Sequence, residues 1–239
     1  MNINYMAYNT DVLTDPEVRK ALSQAINVPE LVESLYRGYA SEATTILPSF
    51  VPGYSSDVHQ VSYDPEAAQA TLAEKGVTDI YMVAYTNPRP YNTATGQTLA
   101  EAIQGYWAKV GVNCRIDTFD WTSYIDKCNT GDFDVCLFGW TGDNGDPDNF
   151  LNLLANEDIG INVAHYKNDE YNAMLAEAVS LPNGDERNAL YGEMEQKLAD
   201  ECVWLPISHQ ESLSAYVSNV HNFIFHPTGN VYLSKTYKY

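Results

Sequence analysis

The fold is decided by residues 113–139, NCRIDTFDWTSYIDKCNTGDFDVCLFG. The segment begins with a strand-like stretch, NCRIDTF, and continues with a helical stretch, DWTSYIDKCNTG. Gly131 ends this helix, since glycine is favoured just after a helix terminus. An apolar stretch, DVCLFG, then predicts a second strand. A helix between two strands is typical of a right-handed crossover between parallel strands.

A further strand and helix precede this unit. Residues 78–85, TDIYMVAY, predict a strand, and the stretch from Thr95 to Val110 predicts a helix. The apolar stripe of that helix has the spacing of a helical face and consists of Leu99, Ala102, Ile103, Tyr106 and Val110. Residues 78–139 therefore predict a β-α-β-α-β unit. The expected fold class is α/β, with a mostly parallel sheet flanked by helices.

The flanking segments add elements at both ends. The first ten residues predict a strand, and a capping box of Thr14 and Glu17 predicts the start of the first helix. Further helices are predicted from PELVESLYRG, which stops at Gly38, from DPEAAQATLAEKG, which stops at Gly76, and at about 168–179 and 185–201. Residues 41–63 predict a long irregular loop, and VWLPISHQ and LSAYV predict strands, followed by a tail of loop and strand.

Composition and charge narrow the class of partner. The chain has 239 residues, of which 45% are hydrophobic, so a sizeable core can form. Its 13 basic and 32 acidic residues give a net charge of -19. Such a surface repels phosphate and anionic lipid, which excludes nucleic acid and an anionic membrane surface as partners.

The four cysteines give no metal-binding spacing. They are Cys114, Cys128, Cys136 and Cys202, without a CxxC or Cys/His pattern. Cys114 and Cys136 lie in apolar strand-like stretches, which predicts buried free thiols, while a disulfide stays open. No metal site and no cofactor are predicted.

Two polar loops follow strands of the predicted parallel unit. One is TNPRPYNTAT at 86–95 and the other is GWTGDNGDPDNF at 139–150. Ligands of open parallel sheets bind beyond the carboxyl ends of the strands. Strands lie about 4.8 Å apart, so the loops are roughly 5–10 Å apart, and a dipeptide spans roughly 7 Å. Arg89 and Asp143 are therefore predicted to hold the two ends of a small zwitterion.

Other interpretations of the second loop are weaker. No frame matches a calcium-binding loop. No catalytic motif accompanies the aspartates, and a Cys136–His165 pair would place its nucleophile inside an apolar strand. Turn and helix-cap chemistry is expected for Asp146 and Asp148, whereas Asp143 at the strand mouth has no such role.

Several motifs resemble the dipeptide- and oligopeptide-binding proteins of bacterial ABC importers. These motifs are FGWTGDNGDPDNFL, RPYN, IQGYWAKVGV, YMAYNT, DPEVRKALSQAI, LYRGYA, SYDPEAAQATLAEKG and CVWLPISHQ. The resemblance, to cluster C of the solute-binding proteins (family 5), implies a lobe of the type II periplasmic-binding-protein fold. It implies that residues 1–239 are the C-terminal lobe, with hinge-crossing segments near 1–10 and 205–239 and the N-terminal lobe absent from this chain.

The resemblance also implies the function and the roles of single residues. The expected protein is an extracytoplasmic, lipid-anchored and monomeric receptor that binds short peptides and delivers them to an ABC permease. Arg89 aligns with the arginine that holds the peptide carboxylate, and Asp143 with the aspartate that pairs with the amino terminus. Trp140 would line the pocket, Thr141 and Gly142 would offer backbone groups, and Tyr91 is a ligand or a packing residue.

Two alternatives and one departure remain at this point. A related receptor for nickel, haem or another small solute, and a peptide hydrolase from another class, both stay open, although an enzyme is not expected. Many relatives carry two cysteines in a loop after the helix that follows the second polar loop. The corresponding residues 155–168 contain none, so the disulfide usual there is not expected.

Overall fold

The computed structural model describes residues 1–58, 61–155, 161–226 and 228–239, with the side chains of 153–155 left out. Parts of the predicted 41–63 loop, of the cysteine-free segment 155–168 and of the tail therefore lie outside the described residues. The strands are β1 (Asn2–Tyr8), β2 (Ala40–Glu42), β3 (Asp79–Tyr85), β4 (Asn113–Phe119), β5 (Val135–Thr141), β6 (Trp204–Gln210), β7 (Val220–His221), β8 (Ile224–Phe225), β9 (Val231–Tyr232) and β10 (Tyr237–Lys238). The helices are α1 (Pro16–Gln24), α2 (Val28–Tyr36), α3 (Pro65–Glu74), α4 (Gly96–Lys109), α5 (Trp121–Thr130), α6 (Asp148–Ala155), α7 (Asp169–Ser180) and α8 (Asp185–Asp200).

The central sheet confirms the α/β class but is mixed. Its six strands run in the order β2-β6-β1-β5-β3-β4. β3 pairs in parallel with both β4 and β5, as the crossover unit predicts. The pairs β1–β5, β1–β6 and β2–β6 are antiparallel. The expectation of a mostly parallel sheet is therefore wrong, because β1, β2 and β6 lie outside the crossover unit and no crossover helix fixes their direction.

One edge of this sheet collects the ends of several strands, and we call it the site edge. β3, β4 and β5 end there, and β1 begins there, because Asn2 pairs with Thr141. β6 also ends at this edge, where the Gln210 amide donates to the Asn2 side chain at 2.7 Å. The polar loops after β3 and β5 thus leave the sheet side by side, as the sequence predicts.

The helix termini agree with the sequence signals, with one shift. Asp64 and Asp120 cap α3 and α5, and Gly131 ends α5 with a φ of 70°. The cap of α1 is Asp15 rather than Thr14, since Asp15 Oδ1 accepts a hydrogen bond from the Glu17 amide at 2.9 Å. Pro16 then occupies the first helical turn, where its missing amide hydrogen costs nothing.

The predicted strand LSAYV is wrong. Residues 211–217 have no regular structure, and Leu213, Tyr216 and Val217 are more than half exposed. Their apolar character gives strand propensity, but no described strand pairs with them, and pairing is what stabilises a strand. Within the described residues, no helix is long and apolar enough to cross a membrane.

The cysteines are buried free thiols, as predicted. Burial raises the pKa of the Cys136 thiol well above its usual value. His165 Nε2 lies 2.9 Å from the Cys128 carbonyl oxygen and so does not serve Cys136. The imagined Cys136–His165 pair is not formed.

A buried carboxyl group joins α8 to the loop after β2. Glu195 is 3% exposed, and its Oε1 accepts a hydrogen bond from the Leu47 amide at 3.0 Å. Burial raises the pKa of Glu195 from 4.5 to about 7, although the amide hydrogen bond opposes this shift. The folded chain therefore holds a proton over a pH range in which the unfolded chain releases it.

This proton makes stability depend on pH. For a carboxyl group with a raised folded pKa, the free energy of unfolding falls as pH rises through that pKa. Between pH 5 and pH 7.5, we expect the free energy of unfolding of the wild type to fall by about 2 kcal/mol relative to that of Glu195→Gln. Urea unfolding of both proteins at the two pH values measures this difference. A difference that stays constant between these pH values would contradict the assignment.

Candidate functional site

Arg89 lies on a tight hairpin at the site edge. The backbone amides of Arg89 and Asn92 each donate to the other residue's carbonyl oxygen at 2.9 Å. Pro90 and Tyr91 form the tip between them. The two reciprocal hydrogen bonds fix the path of the loop that follows β3, and with it the point from which the Arg89 side chain leaves the backbone.

The buried side-chain amide of Asn92 holds the hairpin against the rest of the fold, a role that the sequence did not predict. Asn92 is fully buried, with its Oδ1 accepting from the Tyr36 hydroxyl and its Nδ2 donating to the Tyr85 hydroxyl, both at 2.9 Å. The Tyr36 hydroxyl also accepts from Asn4 Nδ2 at 3.1 Å. These bonds join the hairpin to α2, β3 and β1. The sequence shows only an asparagine in RPYN, and one of its partners, Tyr36, lies 56 residues away.

The Arg89 guanidinium lies over an aromatic surface. Its carbon is 3.7 Å from the ring centroid of Trp121, a favourable cation–π distance. Trp121 in turn stacks on Phe138, with ring centroids 5.8 Å apart. Arg89 forms no ion pair with any described residue, and its buried Nε has no hydrogen-bond partner among them. The cation is therefore held in place by stacking while its charge stays unpaired.

Tyr91 packs against β5. A Cβ atom added to Gly139 would lie 2.3 Å from Tyr91 Cδ2, so the ring occupies the space that a side chain would fill. Tyr91 is 5% exposed and stacks on Phe138 at 6.5 Å. Burial raises the pKa of Tyr91, while the nearby Arg89 cation lowers it, although the two groups fall short of hydrogen-bond geometry. These contacts are those of a packing residue.

The end of β5 leads into the second loop through a buried glycine. The Gly142 amide donates to the Met1 carbonyl oxygen at 3.0 Å, which continues the pairing of β5 with β1. A Cβ atom on Gly142 would lie 2.7 Å from Cζ of the buried Phe150. The neighbouring Thr141 has a buried hydroxyl without a partner in the described structure. A side chain at position 142 would therefore have to displace the ring of Phe150.

Asp143 is exposed at the start of this loop. Its amide donates to Asn149 Oδ1 at 2.9 Å, and the same oxygen accepts from Trp140 Nε1 at 3.1 Å. Asn149 Nδ2 lies 3.5 Å from Asp143 Oδ2. No ion pair involves Asp143 in the described part of the chain. No motif in the sequence marks Asn149 as part of this site.

The other two aspartates of the loop differ from each other. Asp146 Oδ1 accepts from the Asp148 amide at 2.9 Å, which confirms its predicted cap role. Asp146 also forms two 2.9 Å hydrogen bonds with the buried Arg187 guanidinium. Asp148 is the first residue of α6, and its Oδ1 has no partner among the described residues, so the expected cap role is wrong for Asp148.

The structure brings the two loops together without joining their charges. β3 and β5 are adjacent, and Tyr91 of the first loop covers Gly139 at the start of the second. No hydrogen bond or ion pair links Arg89 to Asp143 in the described structure. The site edge thus carries an unpaired cation and an unpaired anion on separate loops. Within the described ranges, no three His, Cys, Asp or Glu side chains cluster as metal ligands do.

Comparison with known proteins gives the family. Residues 1–161 match the family model for bacterial extracellular solute-binding proteins, family 5 Middle. The chain belongs to this family. Its fold is that of the type II periplasmic binding proteins.

The relatives of this family-5 chain are named for different ligands. It is 33% identical over 241 residues to heme-binding protein A of Haemophilus influenzae, and the matched region covers 96% of this chain and 43% of the relative. It is 32% identical over 237 residues to the dipeptide-binding protein of Escherichia coli, covering 96% and 44%. The solved dipeptide-binding protein of Pseudoalteromonas sp. SM9913, in complex with Met-Leu, has a TM-score of 0.87 and 27% identity, covering 100% and 48%. The chain spans less than half the length of these relatives.

Proposed function

We propose that this chain forms one lobe of a two-lobe, extracytoplasmic receptor of an ABC importer. The receptor binds short peptides, above all dipeptides, by their charged ends. The chain is the C-terminal lobe, residues 1–10 and 205–239 cross the hinge, and a second lobe completes the cleft. We further propose that the receptor is a lipid-anchored monomer that delivers peptide to its permease.

One observation carries the ligand assignment. Arg89 and Asp143 are opposite charges without ion partners in the described structure, and they stand on loops that follow adjacent parallel strands. An uncompensated charge at a protein surface is available to a ligand. The ends of a dipeptide carry the complementary charges about 7 Å apart, a span that suits neighbouring loops.

The chemistry of recognition follows from these two groups. Arg89 presents a planar fork that can bind a carboxylate through two parallel hydrogen bonds, and Asp143 can accept from an ammonium group. Trp140 lines the pocket beside Asp143, Thr141 and Gly142 offer backbone groups, and Tyr91 supports the hairpin. Such a site reads the length and the free ends of a peptide, and it tolerates varied side chains.

Haem is the second candidate ligand. The relative at 33% identity is named a heme-binding protein, so a ligand other than a peptide has a specific observation in its favour. Haem carries carboxylates but no ammonium group. A haem receptor would use Arg89 and leave Asp143 without a ligand contact.

Calorimetry on the two-lobe protein separates these functions. The ligands are a dipeptide, its N-acetyl and C-amide derivatives, an unblocked tetrapeptide, haem and a nickel salt. We expect the free dipeptide to bind most tightly and each blocked derivative to bind much more weakly. Tighter binding of haem or nickel would reject the peptide assignment. In a separate activity assay, release of free amino acids from the peptides would indicate a hydrolase.

The isolated chain is expected to fold but to bind dipeptide poorly. Its helices carry their own caps and its core is continuous, so folding does not depend on a second lobe. A receptor that closes on its ligand encloses it between lobes, and one lobe leaves the peptide partly solvated. Calorimetry should therefore show clearly weaker binding to residues 1–239 than to the two-lobe protein. Equal affinities would contradict the proposed architecture.

A further inference from the structure

We propose that Asn149 is a positioning residue that holds Trp140 and Asp143 in the geometry that recognises a ligand ammonium group. This inference rests on the function proposed above and deepens it. Asn149 lies in the first turn of α6 and contacts both residues through one side-chain amide.

The orientation of this amide is fixed by the chemistry of its neighbours. The Trp140 indole nitrogen and the Asp143 backbone nitrogen are both donors, and they meet the same Asn149 atom at 3.1 and 2.9 Å. Only the amide oxygen can accept from both. The amide NH₂ group must then point to the third neighbour, Asp143 Oδ2, which is an acceptor at 3.5 Å. This orientation satisfies both donors and turns the NH₂ group toward the Asp143 carboxylate.

Asn149 can transmit rigidity to the exposed loop because its own position is well fixed. The backbone amide of Asn149 donates to the Asp146 carbonyl oxygen at 3.1 Å. The Asp146 carboxylate is in turn held by two hydrogen bonds from Arg187. The next residue, Phe150, is fully buried and packs against Gly142. The start of α6 therefore contacts the loop at two points, at Gly142 through Phe150 and at Asp143 through Asn149.

The arrangement leaves the Asp143 carboxylate oriented but still available. Asn149 Nδ2 approaches Oδ2, while Oδ1 forms no hydrogen bond with the described residues. Asn149 also ties the indole of Trp140 to the same point. Without this amide, the exposed carboxylate would sample several rotamers, and ordering it again on binding would lower affinity.

The first test reads Trp140 in the unliganded chain by nuclear magnetic resonance. Asn149→Ala should shift the indole NH resonance of Trp140 and speed its hydrogen exchange. Asn149→Asp keeps the oxygen acceptor and should keep the indole NH protected from exchange, although its carboxylate repels that of Asp143. Asn144→Ala is the matched control, since within the described residues the Asn144 side chain accepts one hydrogen bond, from the backbone amide of Asp146 in the same loop. An unmoved Trp140 indole in Asn149→Ala would overturn the inference.

The second test reads ligand recognition in the two-lobe protein. Asn149→Ala should lower dipeptide affinity about tenfold and leave the already weak affinity for the N-acetyl dipeptide nearly unchanged, while Asn144→Ala changes neither. Equal losses for both ligands would show a merely structural role and overturn the inference. If Asp143→Asn also leaves the ratio of the two affinities unchanged, the proposed function fails and this inference falls with it. If only Asn149→Ala leaves that ratio unchanged, the inference alone fails.

Discussion

Asp143→Asn should lower the affinity of the two-lobe protein for a dipeptide by a factor of about 30 or more. The substitution removes one partner of an ion pair that is desolvated in the complex, and such a loss costs about 2–5 kcal/mol of binding free energy. Asp146→Asn should change the affinity only a few-fold. Asp146 already binds Arg187 and caps α6, whereas Asp143 forms no ion pair with the described residues. Calorimetry on the two variants measures the contrast.

Acetylation of the ligand is the control for this prediction. An N-acetyl dipeptide has no ammonium group, so it should bind the wild type weakly. It should lose little more in Asp143→Asn, because the interaction is already gone. Two outcomes would show that Asp143 is the wrong carboxylate: equal binding of acetylated and free dipeptide to the wild type, or a larger loss of affinity in Asp146→Asn.

The second large effect is on stability and belongs to Asp146. Asp146→Asn should lower the free energy of unfolding by about 2–3 kcal/mol, which is more than the ~1 kcal/mol that a lost cap costs. The reason is that the Arg187 side chain is 8% exposed and would lose its only carboxylate partner in the described structure. Fully buried pairs cost about 3–5 kcal/mol when broken, and we expect less here because the Asp146 side chain is 36% exposed.

This pair also gives Asp146 a pH dependence of known sign. Burial alone would raise the pKa of Asp146, but the hydrogen bonds from Arg187 and the Asp148 amide lower it below the usual value. A lowered folded pKa contributes stability above the unfolded pKa, and the contribution is lost as pH falls through the folded value. The stability difference between wild type and Asp146→Asn should therefore shrink in acid.

Urea unfolding near neutral pH measures the loss, with Asp143→Asn as the matched control. Both substitutions remove one carboxylate from the same loop, but only Asp146 contacts a buried cation. Asp143→Asn should unfold within about 0.5 kcal/mol of the wild type, as expected for an exposed surface site. Equal destabilisation by the two substitutions would contradict the role given to the Asp146–Arg187 pair.

Local signals in the sequence predicted much of the fold. The β3-α4-β4-α5-β5 unit and the end of α5 at Gly131 depend on neighbouring residues, and they agree with the structure. The direction of β1 and β6 could not be predicted in the same way. Each pairs with strands far along the chain, and an alternating apolar pattern looks the same in parallel and antiparallel strands.

The candidate site was predicted at the level of loops but not of contacts. Arg89 and Asp143 could be selected because they are charged residues just beyond the ends of predicted strands. Asn92 and Arg187 were missed because folding brings them to partners far along the chain, Tyr36 for Asn92 and Asp146 for Arg187. Asn149 is near Trp140 and Asp143 in the sequence, but its contacts depend on how the loop between them turns back. The close approach of Tyr91 to Gly139 is likewise invisible in the sequence, where that glycine is only the end of an apolar run.

A crystal structure of the two-lobe protein with a bound dipeptide would show directly whether the ligand is held by its charged ends. We expect two hydrogen bonds of about 2.7–2.9 Å from the Arg89 guanidinium to the ligand carboxylate. We also expect a hydrogen bond of the same length from the ligand ammonium group to the Asp143 carboxylate, with the Trp140 indole beside it. Recognition of the dipeptide by Arg89 and Asp143 would be contradicted if the ligand bound away from the site edge. It would also be contradicted if the ligand bound there with its ammonium group on another residue and Asp143 in solvent.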